Sequence, residues 1–135
     1  MFISGGAAIS WRSSLLGTIT HSSCESEYLG LSAAANEAIY LRQLQKELKI
    51  VTGDKATLIV GDNESYQKLA ENPVFHRRSK HILAEYHSVR EHVKEGRVVL
   101  QQCDTKVMAA DMLTKSVTPK VLAVCMKLVG LIKSG

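Results

Sequence analysis

The sequence predicts an α/β layer with a mixed sheet, and three observations carry that expectation. A hairpin pattern punctuated by glycine opens the chain. A long amphipathic segment, His21 to Leu48, follows. Thr57-Leu58-Ile59-Val60 is then a continuous apolar run of strand-forming residues bounded by turn signals. The full order reads hairpin, helix, buried strand, helix, helix, strand and two further helices.

Met1-Phe2-Ile3 has the character of a strand, and Ser4-Gly5-Gly6 signals the turn. The stretch from Ala8 to Ser13 alternates as a half-exposed strand should. Leu15 to Thr20 supplies another extended piece. In the long helix Leu31, Ala34, Ala38, Leu41, Leu44 and Leu48 recur three or four residues apart, so they share one face. Ser22 and Ser23 are capping residues, Glu25 suits the first turn, and Gly53-Asp54 punctuates the end.

A continuous apolar run such as Thr57–Val60 suits a strand covered on both faces. It stops at Gly61-Asp62-Asn63, and Glu64 to Glu71 reads as a short helix ended by Asn72-Pro73. Val74 to Lys80 is a basic loop. His81 to Glu95 follows as a helix with Ile82, Tyr86, Val89 and Val93 on one face, and Gly96 turns it into a strand over Arg97 to Gln102. Val107 to Thr114 is a short helix carrying Asp111. Pro119 opens a final helix whose apolar face includes Leu122, Cys125, Met126 and Val129.

The chain has 135 residues, enough for one domain over its whole length (1–135) with a real core. Its 45% hydrophobic and 22% charged residues are those of an ordinary soluble domain. A net charge of +4 and a pI near 9.0 permit an anionic partner without requiring one. Cys24, Cys103 and Cys125 are odd in number and form no CxxC pair, which points to free thiols in a reducing compartment. With no membrane span and no secretory leader, the expectation is an intracellular protein. The histidines at 76, 81, 87 and 92 fit no zinc spacing.

Two carboxylates stand out on position alone. Glu27 lies four residues before Leu31 and projects from the apolar stripe, where it must reach water, a partner or a metal. Asp62 stands where a buried strand ends and a helix begins, the edge at which open α/β sheets bind ligands. Helix capping is the other account of Asp62, although Asn63 can do that alone.

The strings GGAAISWRS, SSCESEYLGLSAAANEAIYLRQL, GDNESYQKLAENPVFHRRSKHI and AADMLTK, in this order and spacing, resemble the ribonuclease H domain of Ty1/copia-type retrotransposon polyproteins. The match runs over nearly the whole chain. The resemblance implies a ribonuclease H-like fold and hydrolysis of the RNA strand of an RNA–DNA hybrid. It also implies two Mg²⁺ ions held by an Asp-Glu-Asp-Asp set. Motif by motif, the Glu of E-x-E-Y falls on Glu27, the Asp of the strand-end D-N on Asp62, and the Asp of A-D-x-L-T-K on Asp111. Glu25 is then a capping neighbour. Mg²⁺ takes oxygen ligands and retains waters, and two ions roughly 4 Å apart activate a water and stabilise the leaving oxygen. In the basic loop, Arg77, Arg78 and Lys80 are candidate contacts to phosphates.

One departure matters. The family's first aspartate lies on a first strand, and this sequence has no Asp before Asp54. The expectation is therefore a domain without that strand and with a weakened metal site. It has an open sheet edge prone to self-association, and impaired catalysis. A non-catalytic retrotransposon remnant that still binds nucleic acid is the alternative. The expected partners are the hybrid and the reverse transcriptase portion of a polyprotein, with no membrane. The implied location is the cytoplasm or a virus-like particle, with the nucleus also open.

Overall fold

The structure is a computed structural model that describes residues 1–14, 23–51, 53–61, 80–102 and 108–132, with side chains for all of these except 23–25, 80–83 and 86. It is an α/β arrangement with two small sheets, compatible with a ribonuclease H-like fold. The elements are β1 (Phe2–Ser4), β2 (Ala7–Ser10), α1 (Ser23–Glu47), β3 (Thr57–Gly61), α2 (Lys80–Lys94), β4 (Val98–Gln102), a 3-10 helix (Ala109–Leu113) and α3 (Pro119–Leu128). They fall into two compact units. One comprises Met1–Gly17 with Cys103–Gly135, the other Thr18–Gln102.

In the second unit, β3 and β4 pair in parallel, with Thr57 opposite Val98 and Gly61 opposite Gln102. A parallel pair needs a crossover, and α2 lies within it. Helix α1 packs against α2 and β3, and α2 packs against β4. The core holds Ile59 from β3, Val98 from β4, Val89 from α2, and Tyr28, Leu31, Ala35 and Ala38 from α1. Val89 and Val98 are each 1% exposed, and each contributes about 2 kcal/mol of apolar transfer. Ala35, Ala38 and Ser32 carry little bulk, which lets α2 approach α1 closely.

This core corrects two expectations. The buried stripe of α1 is Tyr28, Leu31, Ser32, Ala35 and Ala38, whereas Leu44 is 36% and Leu48 61% exposed. The periodicity of the leucines marks a helix, but its buried apolar packing runs only through the first two thirds. Nor is β3 covered on both faces. Ile59 is 7% exposed, while its neighbours Leu58 and Val60 are 51% and 39% exposed. The helices packed on β3 and β4 bury Ile59 and Val98, while Leu58, Val60 and Val99 alternate with them and stay exposed. The basic stretch also differs from expectation, because Lys80 begins α2 instead of ending a loop. The expected extended piece at 15–20 and short helix at 64–71 lie outside the described residues.

In the first unit, β1 and β2 form the expected hairpin, with Ser4 opposite Ala7. Gly5 and Gly6 both have positive φ, 60° and 81°, as a two-residue primed turn requires. The strand is shorter than expected, since Trp11–Ser13 fall outside it. Helix α3 starts as its sequence dictates: Thr118 Oγ1 accepts from the Val121 amide at 3.4 Å, and Pro119 occupies the first turn. Its buried side is Cys125 and Val129, whereas Leu122 is 38% exposed. Cys125 is a free thiol whose Sγ lies 3.9 Å from the Met108 carbonyl. The Ala8 amide donates to the Val129 carbonyl at 3.0 Å, which ties the hairpin to the end of α3.

The three α-helices among the described residues end in the same motif. The Gly130 amide bonds Lys127 O and Leu131 bonds Met126 O; Gly96 bonds Val93 O and Arg97 bonds His92 O; Lys49 bonds Lys46 O and Ile50 bonds Gln45 O. These paired bonds define a Schellman end, which needs a left-handed residue just past the helix. Gly130 and Gly96 meet that need at φ 74° and 68°. At the end of α1 the position is taken by Lys49, at φ 57°. The helix therefore stops on a strained lysine, before Gly53.

Candidate functional site

Glu27 lies near the N-terminal end of α1, one residue before buried Tyr28, and is exposed. With the buried stripe centred on Tyr28, Leu31 and Ala35, one residue back along the helix places Glu27 on the border of the stripe, not within it. Its carboxylate reaches water without a desolvation cost. The connection from α1 to β3 reverses the chain direction, and Arg42, late in α1, bonds Thr57 at the start of β3. The Glu27 end of α1 therefore points the same way as the carboxyl end of β3. Asp62 follows Gly61 at that edge in sequence, and itself lies outside the described residues.

Asp111 occupies the 3-10 helix Ala109–Leu113, part of the other unit. Its side chain is 18% exposed, and Oδ1 lies 3.0 Å from Lys115 Nζ. Its carbonyl accepts from the Thr114 and Lys115 amides, which folds Lys115 back over the short helix. Sequence reading passed over Lys115, although the signal was present: opposite charges four residues apart meet on a helical turn.

Of the predicted site residues, Glu27 and Asp111 are described, and each belongs to a different unit. Asp62, Arg77 and Arg78 lie outside the described residues, as does the side chain of Lys80. Carboxylate oxygens are the ligand type that Mg²⁺ takes. Among the described residues, however, no group of three or more His, Cys, Asp or Glu side chains is placed to hold a metal ion. His92 is half-buried, with Nδ1 3.4 Å from Arg97 Nη1 and Nε2 3.4 Å from Ser88 Oγ. Among the described residues no helix is long and apolar enough to cross a membrane.

Between the helices of the second unit, buried Ser32 donates through its hydroxyl to the half-buried Glu85 carboxylate. This polar clasp sits inside an otherwise apolar α1–α2 contact and sets the two helices in register. A serine in a run of alanines was its only trace in sequence.

Comparison with known proteins adds the following. The chain is 34% identical over 131 residues to a retrovirus-related Pol polyprotein from transposon TNT 1-94 of Nicotiana tabacum, which covers 97% of this chain and 10% of that protein. It is 33% identical over 129 residues to the corresponding polyprotein from transposon RE2 of Arabidopsis thaliana, covering 96% of the chain and 9% of the relative. For transposon RE1 of the same plant the identity is 35% over 111 residues, 82% of the chain and 8% of the relative. The chain thus spans about a tenth of the length of these curated relatives. No protein-family model matches it, and no solved structure does. Over most of its length the chain is homologous to a segment of Ty1/copia-type retrovirus-related Pol polyproteins.

Proposed function

We propose that the chain is the ribonuclease H-like domain of such a polyprotein, and that its family chemistry is metal-dependent hydrolysis of the RNA strand of an RNA–DNA hybrid. The observation that carries this reading is the order of four motifs within a stretch alignable to Pol polyproteins at 33–35% identity. Glu27, Asp62 and Asp111 are the residues that would hold Mg²⁺. When bound, the ions supply an activated water and offset charge on the leaving oxygen. The chain's own part is to present an exposed carboxylate on α1 and to keep Asp111 beside Lys115. Arg77, Arg78 and Lys80 would grip the phosphates of the hybrid. The reverse transcriptase portion of a polyprotein is the proposed partner, in the cytoplasm or a virus-like particle.

The sequence holds three of the four acids that the family resemblance implies. The 135-residue chain is therefore expected to bind hybrid, to bind Mg²⁺ weakly and to cleave slowly at best. The test is a labelled RNA strand annealed to DNA, incubated with increasing Mg²⁺. Cleavage should be slow, should stop with a chelator, and should vanish in Asp62→Asn. Cleavage that survives that substitution would refute the assignment. A second reading, a non-catalytic domain that retains nucleic-acid binding, is favoured by the Lys115 ion pair, which already offsets the Asp111 charge. Hybrid binding without cleavage at any Mg²⁺ concentration selects it.

A further inference from the structure

We propose that the second unit carries a separate binding site for the sugar–phosphate backbone of a nucleic acid, at the amino ends of β3 and β4. Two neighbouring depressions form it. The first, of about 410 Å³, is lined by Arg42 and Lys46 from α1, Lys55 from the α1–β3 connection and Arg97 from the α2–β4 turn, with Asp54 and Glu95 as its acids. The second, of about 480 Å³, runs along α2 past Arg90 and Lys94 and shares Glu95 with the first. Three segments thus bring cations to one place, and over the two depressions Arg42, Lys46, Lys55, Arg90, Lys94 and Arg97 face the acids Asp54, Glu91 and Glu95. A single free phosphate needs only a point of positive charge. A line of cations matches the repeated charges of a polynucleotide.

The first depression is preorganised. Arg42 is held twice, by Nε to Thr57 Oγ1 at the start of β3 at 3.2 Å and by Nη1 to the Gly53 carbonyl within the α1–β3 connection at 3.4 Å. A guanidinium has five N–H donors, so others remain for a phosphate. The Thr57 amide bonds the Arg97 carbonyl at 2.9 Å, which fixes the turn that carries the Arg97 side chain. The positive potential is felt locally. A hydrogen bond and charge from Lys46, with charge from Arg42, hold the Asp54 carboxyl below the usual range. The competing account is that these cations only neutralise the carbonyl end of α1. That account does not cover Lys55, Arg97 or Arg90, which are not on α1, although Arg97 Nη2 also lies 2.6 Å from Glu95 Oε2.

The site is at the opposite end of the unit from Glu27, so it does not depend on hydrolysis. A fluorescent DNA duplex, without RNA and in the presence of a chelator, is titrated with the full chain over a range of salt. The substitutions are Lys55→Gln and Arg97→Gln, with Lys120→Gln on α3 as control. Each of the first two should reduce the slope of log K against log salt by about one and weaken low-salt binding several-fold. Lys120→Gln should leave both unchanged. If the slope is unaltered in both site variants, the proposal is overturned, whether or not their melting temperatures fall. A fall with an unaltered slope would leave the cations as a helix-end clamp. Failure of hybrid cleavage bears on the acids alone and leaves this result untouched.

Discussion

Replacing Gly130 with alanine should destabilise the hairpin unit far more than the same change at Gly96. Both glycines close Schellman ends at similar angles, φ 74° and 68°. In either place a methyl group meets the left-handed penalty, about 1–2 kcal/mol. The surroundings then separate them. A Cβ at Gly96 would meet nothing within 4 Å, whereas one at Gly130 would lie 2.4 Å from Gly6 O and 3.1 Å from Ala7 Cα. Both of those atoms are backbone, so the hairpin itself must move, and the Ala8 to Val129 hydrogen bond moves with it. Overpacking of this kind costs about 1–3 kcal/mol more. The total is about 2–5 kcal/mol for Gly130→Ala against about 1–2 for Gly96→Ala. Urea denaturation gives the two losses, and hydrogen exchange at the Ala8 amide reports the local effect. Equal losses, or an Ala8 amide as protected as in the parent chain, would refute the claim that the close approach to Gly6 limits this position.

Lys49→Gly should stabilise the end of α1 by up to about 1 kcal/mol, because the left-handed penalty it removes at φ 57° exceeds the opposing cost of the chain entropy that glycine adds to the unfolded state; a lower urea midpoint would contradict this. Ser32→Ala should cost about 1–3 kcal/mol, since it takes the hydroxyl from a half-buried Glu85 carboxylate. Adding Glu85→Gln to that variant should cost less than it does alone, and a double-mutant cycle with no coupling would remove the clasp from the account. For Asp54, whose carboxyl is held low by Lys46, folding favours the charged form. The associated stability is present above the unfolded pKa and is lost as pH falls through the folded one. Asp54→Asn should therefore be slightly less stable at neutral pH, and the gap should close in acid, below the ordinary carboxylate pKa; a gap that widens in acid would reverse the sign argued here.

Much of the local structure was legible in sequence because its causes are local. The Gly5-Gly6 turn, the Thr118-Pro119 start of α3, the extent of α1 and the strand Thr57–Gly61 each follow from backbone preferences or periodicity within a few residues. The motif order that relates the chain to Pol polyproteins is a property of the sequence alone, and so is the position of Asp62 after a strand. Which side of α1 is buried was not legible. Leucines and alanines at three- and four-residue spacing mark several overlapping stripes, and only the position of α2 and the sheet selects Tyr28–Ala38 over Leu44–Leu48. The exposure of Leu58 and Val60 was hidden for a related reason, since an apolar side chain carries no record of whether a second layer covers it. The helix end at Lys49 ran against propensity, which favours glycine there, and the Arg42 bridge from α1 to Gly53 and Thr57 spans the connection that begins at it. The basic depression exists only in three dimensions: Arg42, Lys55 and Arg97 lie 13 and 42 residues apart in successive steps, and no pattern over that range brings charges together before the chain has folded.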